Sequence, residues 1–172
     1  MIVDSECTSG CATISNTFDP NSSSSFQNES TPFEISFGSG HASGWLGKDI
    51  VEMAGFIVSN QIFAVCDLIS PGLFANPVSG LLGLAFDTIA ASKEKPFWQT
   101  LVENGAWDAP LMSFHLTRLV VFSIYFMRLG KVFVFCFGCD LLPPPPFFLK
   151  NIQLYQCHVH QIRRTWRFIL YG

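Results

Sequence analysis

The first two thirds of the chain is patterned as strands. Phe33, Ile35 and Phe37 alternate with Glu34 and Ser36, the period of two expected where one face of a strand is buried. Gly38, Gly40 and Gly44 follow with small residues between them, and this run predicts a loop that bends freely. A strand pattern resumes over residues 45–51, so residues 33–49 read as a hairpin with a mobile tip, a shape suited to covering a site. Residues 55–66 predict a further strand, antiparallel to the one ending near Met53, and Pro71, Gly72 and Pro77 mark a loop after it. Residues 78–86 are short, glycine-rich and apolar on both faces, which predicts a centrally buried strand. Residues 96–105 predict a short helix, opened by Pro96, closed by Gly105 and carrying Phe97 and Leu101 as an i, i+4 apolar pair. Residues 111–117 alternate again, with His115 beside Ser113 and Thr117 on the polar face of a solvated strand.

Two loops add chemistry to this pattern. Cys7 and Cys11 are close enough in sequence for a local disulfide, in a Ser/Thr/Asn-rich setting that suits an extracellular protein. Residues 18–26 (Phe-Asp-Pro-Asn-Ser-Ser-Ser-Ser-Phe) read as a surface turn. Asn21-Ser22-Ser23 and Asn28-Glu29-Ser30 are glycosylation sequons, although the chain opens on Met1-Ile2-Val3 as if within a strand, with no signal-peptide pattern. The length of 172 residues predicts one domain. Charge divides it differently: residues 1–118 carry four basic and twelve acidic residues, whereas residues 119–172 carry six basic residues and Asp140 alone. That reversal predicts two segments of different origin, 1–118 and 119–172.

Taken in order, these pieces resemble the pepsin-like aspartic proteases, the fungal secreted members most closely. The resemblance rests on the Cys7–Cys11 loop, the Phe-Asp-Pro-x-Ser-Ser-Ser-Ser-Phe turn, Ile35-Ser36-Phe37-Gly38-Ser39-Gly40 with Leu46-Gly47-Lys48-Asp49, and Asn60-Gln61-Ile62-Phe63. It continues through Gly80-Leu81-Leu82-Gly83-Leu84-Ala85-Phe86, Pro96-Phe97-Trp98 and Ser113 to Arg118. It implies a mainly β chain: part of the N-terminal lobe of the pepsin-like β-barrel fold, with one or two short helices. It also implies a peptide or protein substrate cut at acidic pH, a secreted or vacuolar location, and neither metal nor cofactor. The hairpin at 33–49 becomes the family's flap, with Gly38 and Ser39 at the substrate-binding tip and Phe37 where a tyrosine is usual, so that the ring is kept and the hydroxyl lost.

The family's chemistry uses two aspartates, each in an Asp-Thr/Ser-Gly turn. Two close carboxylates share one proton; the ionised one activates water and the protonated one polarises the scissile carbonyl. No aspartate here has that context. Asp4 precedes Ser5 and Glu6 and matches a position beyond the catalytic turn; Asp87-Thr88-Ile89 lacks the glycine, and Asp87 is expected to cap a short helix. Asp19, Asp49, Asp67, Asp108 and Asp140 precede Pro, Ile, Leu, Ala and Leu. The expectation is a fragment with no catalytic residue, inactive as written; the alternative is a non-catalytic peptide-binding protein using the residual flap and groove, monomeric or prone to aggregate through exposed strand edges.

Residues 119–172 depart from the family and read as an unrelated hydrophobic and basic tail, irregular or poorly ordered, of the kind that translated intron or out-of-frame sequence yields. Arg128, Lys131 and Asp140 interrupt any membrane span. Cys136 and Cys139 have a ligand spacing, but His158-Val159-His160 is too short for the second half of a zinc finger. The basic end, with Arg163, Arg164 and Arg167, matches no nucleic-acid-binding module, residues 161–170 carry a short amphipathic helical pattern, and Cys66 has no evident partner.

Overall fold

The computed structural model describes residues 1–107, 111–116, 124–129, 132–137, 152–155, 158–159 and 168–171, with side-chain surroundings for 1–107 and 111–112. Its centre is three long strands. β1 is the short strand Ile2–Val3; β2 spans Gln27–Phe37, β3 Gly40–Met53 and β4 Phe56–Ile69. β2 and β3 pair antiparallel with a register shift between Asn28 and Thr31, and β3 pairs antiparallel with β4 from Ala42↔Ile69 to Met53↔Phe56. The β3–β4 connection is only Ala54-Gly55, both at positive φ (52° and 77°), as a two-residue hairpin turn between right-twisted strands requires.

β1 lies parallel to β4 (Ile2↔Val65) and antiparallel to β5, Gly80–Gly83 (Ile2↔Gly80). The strand covers only residues 80–83 of the expected 78–86, and it is buried at Gly80 and Leu81 while Gly83 and Phe86 are exposed. Because successive strand residues point to opposite faces, β1 and β4 feed two cores at once. Ile2 and Val65 join Phe18, Met53, Phe56, Phe97, Leu101 and Trp107 on one face. Val3 and Cys66 join Phe33, Ala42, Leu46, Ile69, Phe74 and Leu81 on the other. Phe18, Val3, Val65, Cys66 and Leu101 are fully buried. Edge-to-face rings reinforce the first core, with centroids 5.5 Å apart for Phe18–Phe26 and 5.6 Å for Phe26–Trp45.

The helix α1 covers Phe97–Glu103 and buries Phe97 and Leu101, the pair its sequence spacing marks. It ends in a Schellman arrangement, with Gly105 N donating to Val102 O (3.0 Å) and Ala106 N to Leu101 O (2.9 Å). Gln61 ties β4 to the helix's approach through Nε2 donating to Lys95 O at 2.9 Å.

The glycine-rich run departs from the loop its composition suggests. Gly40 and Gly44 lie within β3, and the turn is Gly38-Ser39 alone. Gly44 is there because of close approach: a Cβ on it would overlap the Val65 carbonyl oxygen across a register shift. Asp87 also differs from expectation. It is the first residue of a 3-10 turn, Asp87–Ile89, whose cap position is Phe86, and its carboxylate accepts from Thr88 N at 2.7 Å.

Past Met112–Leu116 (β6), short strands occur where an irregular tail is expected: Ile124–Leu129 (β7), Val132–Phe137 (β8), Ile152–Tyr155 (β9), His158–Val159 (β10) and Phe168–Tyr171 (β11). β6, β8, β7 and β9 form one sheet in that order, while β10 pairs with β3 and β11 with β5. Their density of Phe, Val, Ile and Tyr favours extended pairing. The helical pattern of residues 161–170 therefore ends in a strand at Phe168; its residues 161–167 lie outside the described residues.

The serine-rich turn is structural as well as exposed. Asp49 of β3 is 1% exposed, and its carboxylate accepts from Ser23 Oγ (2.7 Å), Ser25 Oγ (2.5 Å) and Ile50 N (2.7 Å). Replacing Asp49 by Ala strands these donors. Asp49→Ala is expected to cost about 3 kcal/mol in urea unfolding, and Ser23→Ala about 1 kcal/mol; an Asp49→Ala midpoint equal to that of the parent would contradict the assignment.

Candidate substrate-binding hairpin and the surrounding aspartates

The hairpin of β2 and β3 closes at Phe37↔Gly40, leaving Gly38 and Ser39 exposed at its tip. Phe37 is half-buried, its ring packed with Ile35 against the core that contains Phe33, Phe74 and Leu81. The base of the turn is held to the end of β4. Ser70 N donates to His41 O at 2.8 Å, His41 N donates to Ser70 Oγ at 3.0 Å, and Ser70 Oγ lies 2.8 Å from His41 Nδ1. Only the residues between Phe37 and His41 extend past this clamp. Nothing in the local pattern signals it, because Ser70 is 29 positions from His41.

The aspartates are engaged with their own surroundings. Asp4, 6% exposed, follows β1 and accepts from Glu6 N at 2.9 Å. Asp19 caps the 3-10 turn Pro20–Ser22 by accepting from Asn21 N at 2.9 Å. Asp49 and Asp87 are bonded as above, and Asp67 is exposed. Asp108 and the side chain of Asp140 lie outside the described residues, as do the side chains of His115, Cys136, Cys139, His158 and His160. Among the described residues no three His, Cys, Asp or Glu side chains converge as a metal site, and no helix is long and apolar enough to cross a membrane.

Cys7 and Cys11 form a disulfide with Cα atoms 6.2 Å apart. The loop they close is docked on the end of β4, with Thr8 N donating to Asp67 O (2.8 Å) and Ile69 N to Ser9 O (3.0 Å). Both sequon asparagines, Asn21 and Asn28, are exposed.

The family model for eukaryotic aspartyl proteases matches residues 1–128, beyond Arg118 where the sequence pattern changes. The chain belongs to the eukaryotic aspartyl protease family. It is 48% identical over 117 residues to "Major aspartyl peptidase 1" of Cryptococcus neoformans var. grubii, which covers 68% of this chain and 24% of that protein. Vacuolar protease A of Arthroderma otae is 36% identical over 113 residues (64% of this chain, 28% of that protein). Pepsin A of Sus scrofa is 35% identical over 113 residues (64% and 29%). This aspartyl protease chain thus spans about a quarter of the length of the curated relatives it matches.

Within the matched region the one free cysteine among the described residues is Cys66, fully buried in β4. Burial pushes its thiol from the ordinary 9.0 up to about 11, with the adjacent amino terminus opposing and Asp67 and Asp4 adding to the rise. A thiol held protonated in the folded state leaves stability unchanged below about pH 9 and lowers it as pH rises toward 11. At pH 8, iodoacetamide is therefore expected to leave Cys66 unmodified in the native chain and to alkylate it in urea, as read by peptide mass spectrometry. Rapid native labelling of Cys66 would contradict this placement.

Proposed function

We propose that this chain carries the flap side of an aspartic-endopeptidase groove and is catalytically inert as it stands. The observation that carries the reading is the absence of any Asp-Thr/Ser-Gly tripeptide in 172 residues. The commitments of Asp4, Asp19, Asp49 and Asp87 to backbone and hydroxyl donors support it. Peptide-bond hydrolysis by this route requires two carboxylates close enough to share one proton, one ionised to take a proton from water and one protonated to polarise the carbonyl. A carboxylate tied into a cap or a serine pair performs neither task.

What the hairpin retains is positioning. On this reading the half-buried Phe37 ring would wall the substrate cleft, and the exposed backbone of Gly38 and Ser39 would meet an extended peptide. Without a hydroxyl on residue 37, that wall is apolar. The activity of a longer protein containing this segment would be acid proteolysis in a secreted or vacuolar compartment, for which the Cys7–Cys11 disulfide is chemically suited.

A second reading is favoured by one observation: among the described residues β2 pairs only with β3, so its outer edge is open to an added strand. On that reading the chain binds peptides without cutting them, or associates through the same edge.

The test is acid-denatured globin incubated with the purified chain at acidic pH. No pepstatin-sensitive fragments are expected, and their appearance would overturn the inert reading. Saturable binding of a fluorescent extended peptide without cleavage, weakened by a Pro substitution at an edge position of β2, would establish the binding reading. A peptide that neither binds nor is cut would remove it.

A further inference from the structure

The outer edge of β2 is an open ladder of defined length. Phe37 and Gly40 close a two-residue turn, so Phe37 directs its N–H and C=O toward β3. Phe33 and Ile35, in step with it, do the same, while Glu34 and Ser36 direct theirs outward. Among the described residues no second strand meets that outer edge. Pro32 falls in the outward class and has no N–H to offer, so the ladder stops there. The bulge between Asn28 and Thr31, with Ser30 at φ 54°, breaks the edge further. Gly38 begins the turn at the other end, and the edge that can be paired is Phe33-Glu34-Ile35-Ser36-Phe37. Its side chains alternate: Phe33 is buried and Ile35 and Phe37 are half-buried toward the core, whereas Glu34 and Ser36 are exposed.

We propose that this edge takes a second copy of the chain, the two β2 strands pairing antiparallel about a two-fold axis at Ile35. The proposal rests on the reading that the edge of β2 accepts an added strand, and it names the occupant and the register. A two-fold interface must be self-complementary, and the pentad reads almost the same in both directions. Centred on Ile35, it sets Phe33 opposite Phe37 of the second copy. Ile35 then faces its own counterpart in a non-hydrogen-bonded pair, where side chains approach most closely. On the other face Glu34 meets Ser36 of the second copy, and these two residues exchange both backbone hydrogen bonds. Charge selects this register. Centring on Glu34 would oppose two carboxylates and draw Pro32 into the ladder, and centring on Ser36 would require Gly38 and Ser39 of the turn to pair as strand. A ladder this short buries little area, so the association is weak and concentration-dependent.

The test is equilibrium sedimentation of the full chain over a concentration series, with charge placed at the pair this register defines. Ser36→Lys sets an ammonium opposite Glu34 at both symmetry-related positions and is expected to tighten association about fivefold. Ser36→Glu sets carboxylates opposite one another and is expected to weaken it about fivefold. Ser59→Lys makes the same change in net charge at an exposed position of β4, with β3 between it and the edge, and is expected to leave association as in the parent. The register is read by mixing Glu34→Cys and Ser36→Cys chains with oxidised glutathione. Opposed antiparallel residues have Cα atoms about 5.5 Å apart, within disulfide reach, so a disulfide between the two different chains is expected to exceed either chain's disulfide with itself, as read by peptide mass spectrometry. Equal responses to Ser59→Lys and Ser36→Lys, or a preference of each cysteine variant for itself, would overturn the proposal. A chain that stays monomeric at every concentration would overturn it too. If an extended peptide still binds the edge of that monomer, strand addition stands and only the second copy is ruled out; if no peptide binds either, both fall together.

Discussion

A buried carboxylate must be answered by donors, and in this chain the answer to Asp49 organises the approach to the hairpin. Its oxygens are met by two serines from the loop before β2 and by the next backbone N–H on β3. Desolvating an unpaired charge would cost far more than any one of these bonds returns, so the loop is obliged to fold back onto the strand. That return also brings Phe26 onto Phe18 and Trp45, and the aromatic cluster then closes the first core from outside. The polar anchor and the apolar cover are one device: the serines cannot reach Asp49 without delivering Phe26.

The limits of legibility follow from distance along the chain. Period-two alternation marks the second half of β2, strand-like runs mark β3 and β4, and the Phe97–Leu101 spacing marks α1, because those signals lie within a few residues. The family was legible as well, since the order of short motifs survives where no single one is specific. The role of the serine run was not, because Ser23 and Ser25 serve a carboxylate about two dozen positions away. Gly44 misled for a related reason. Its lack of a side chain reads as freedom locally, but answers the carbonyl of Val65 on the neighbouring strand. Asp87 opens its 3-10 turn instead of capping it, a difference of one residue at the boundary of a short helix.

Two neighbouring residues of β4 show how one sheet serves two environments. Val65 and Cys66 face opposite cores, and both are fully buried. The low polarity that makes Val65 a good core residue is what raises the Cys66 thiol. The Cys7–Cys11 disulfide closes a loop docked on the same region of β4, and its Cys11 is buried in the same core as Cys66.

The hairpin tip and the edge of β2 make the same demand on a guest. At the hairpin tip, exposed backbone groups reward a partner rich in donors and acceptors, and the open edge of β2 extends the same offer along a strand. Phe33 and Ile35 tie that edge to the interior, since their backbone lies in the edge strand while Phe33 is buried in the second core and Ile35 packs against it.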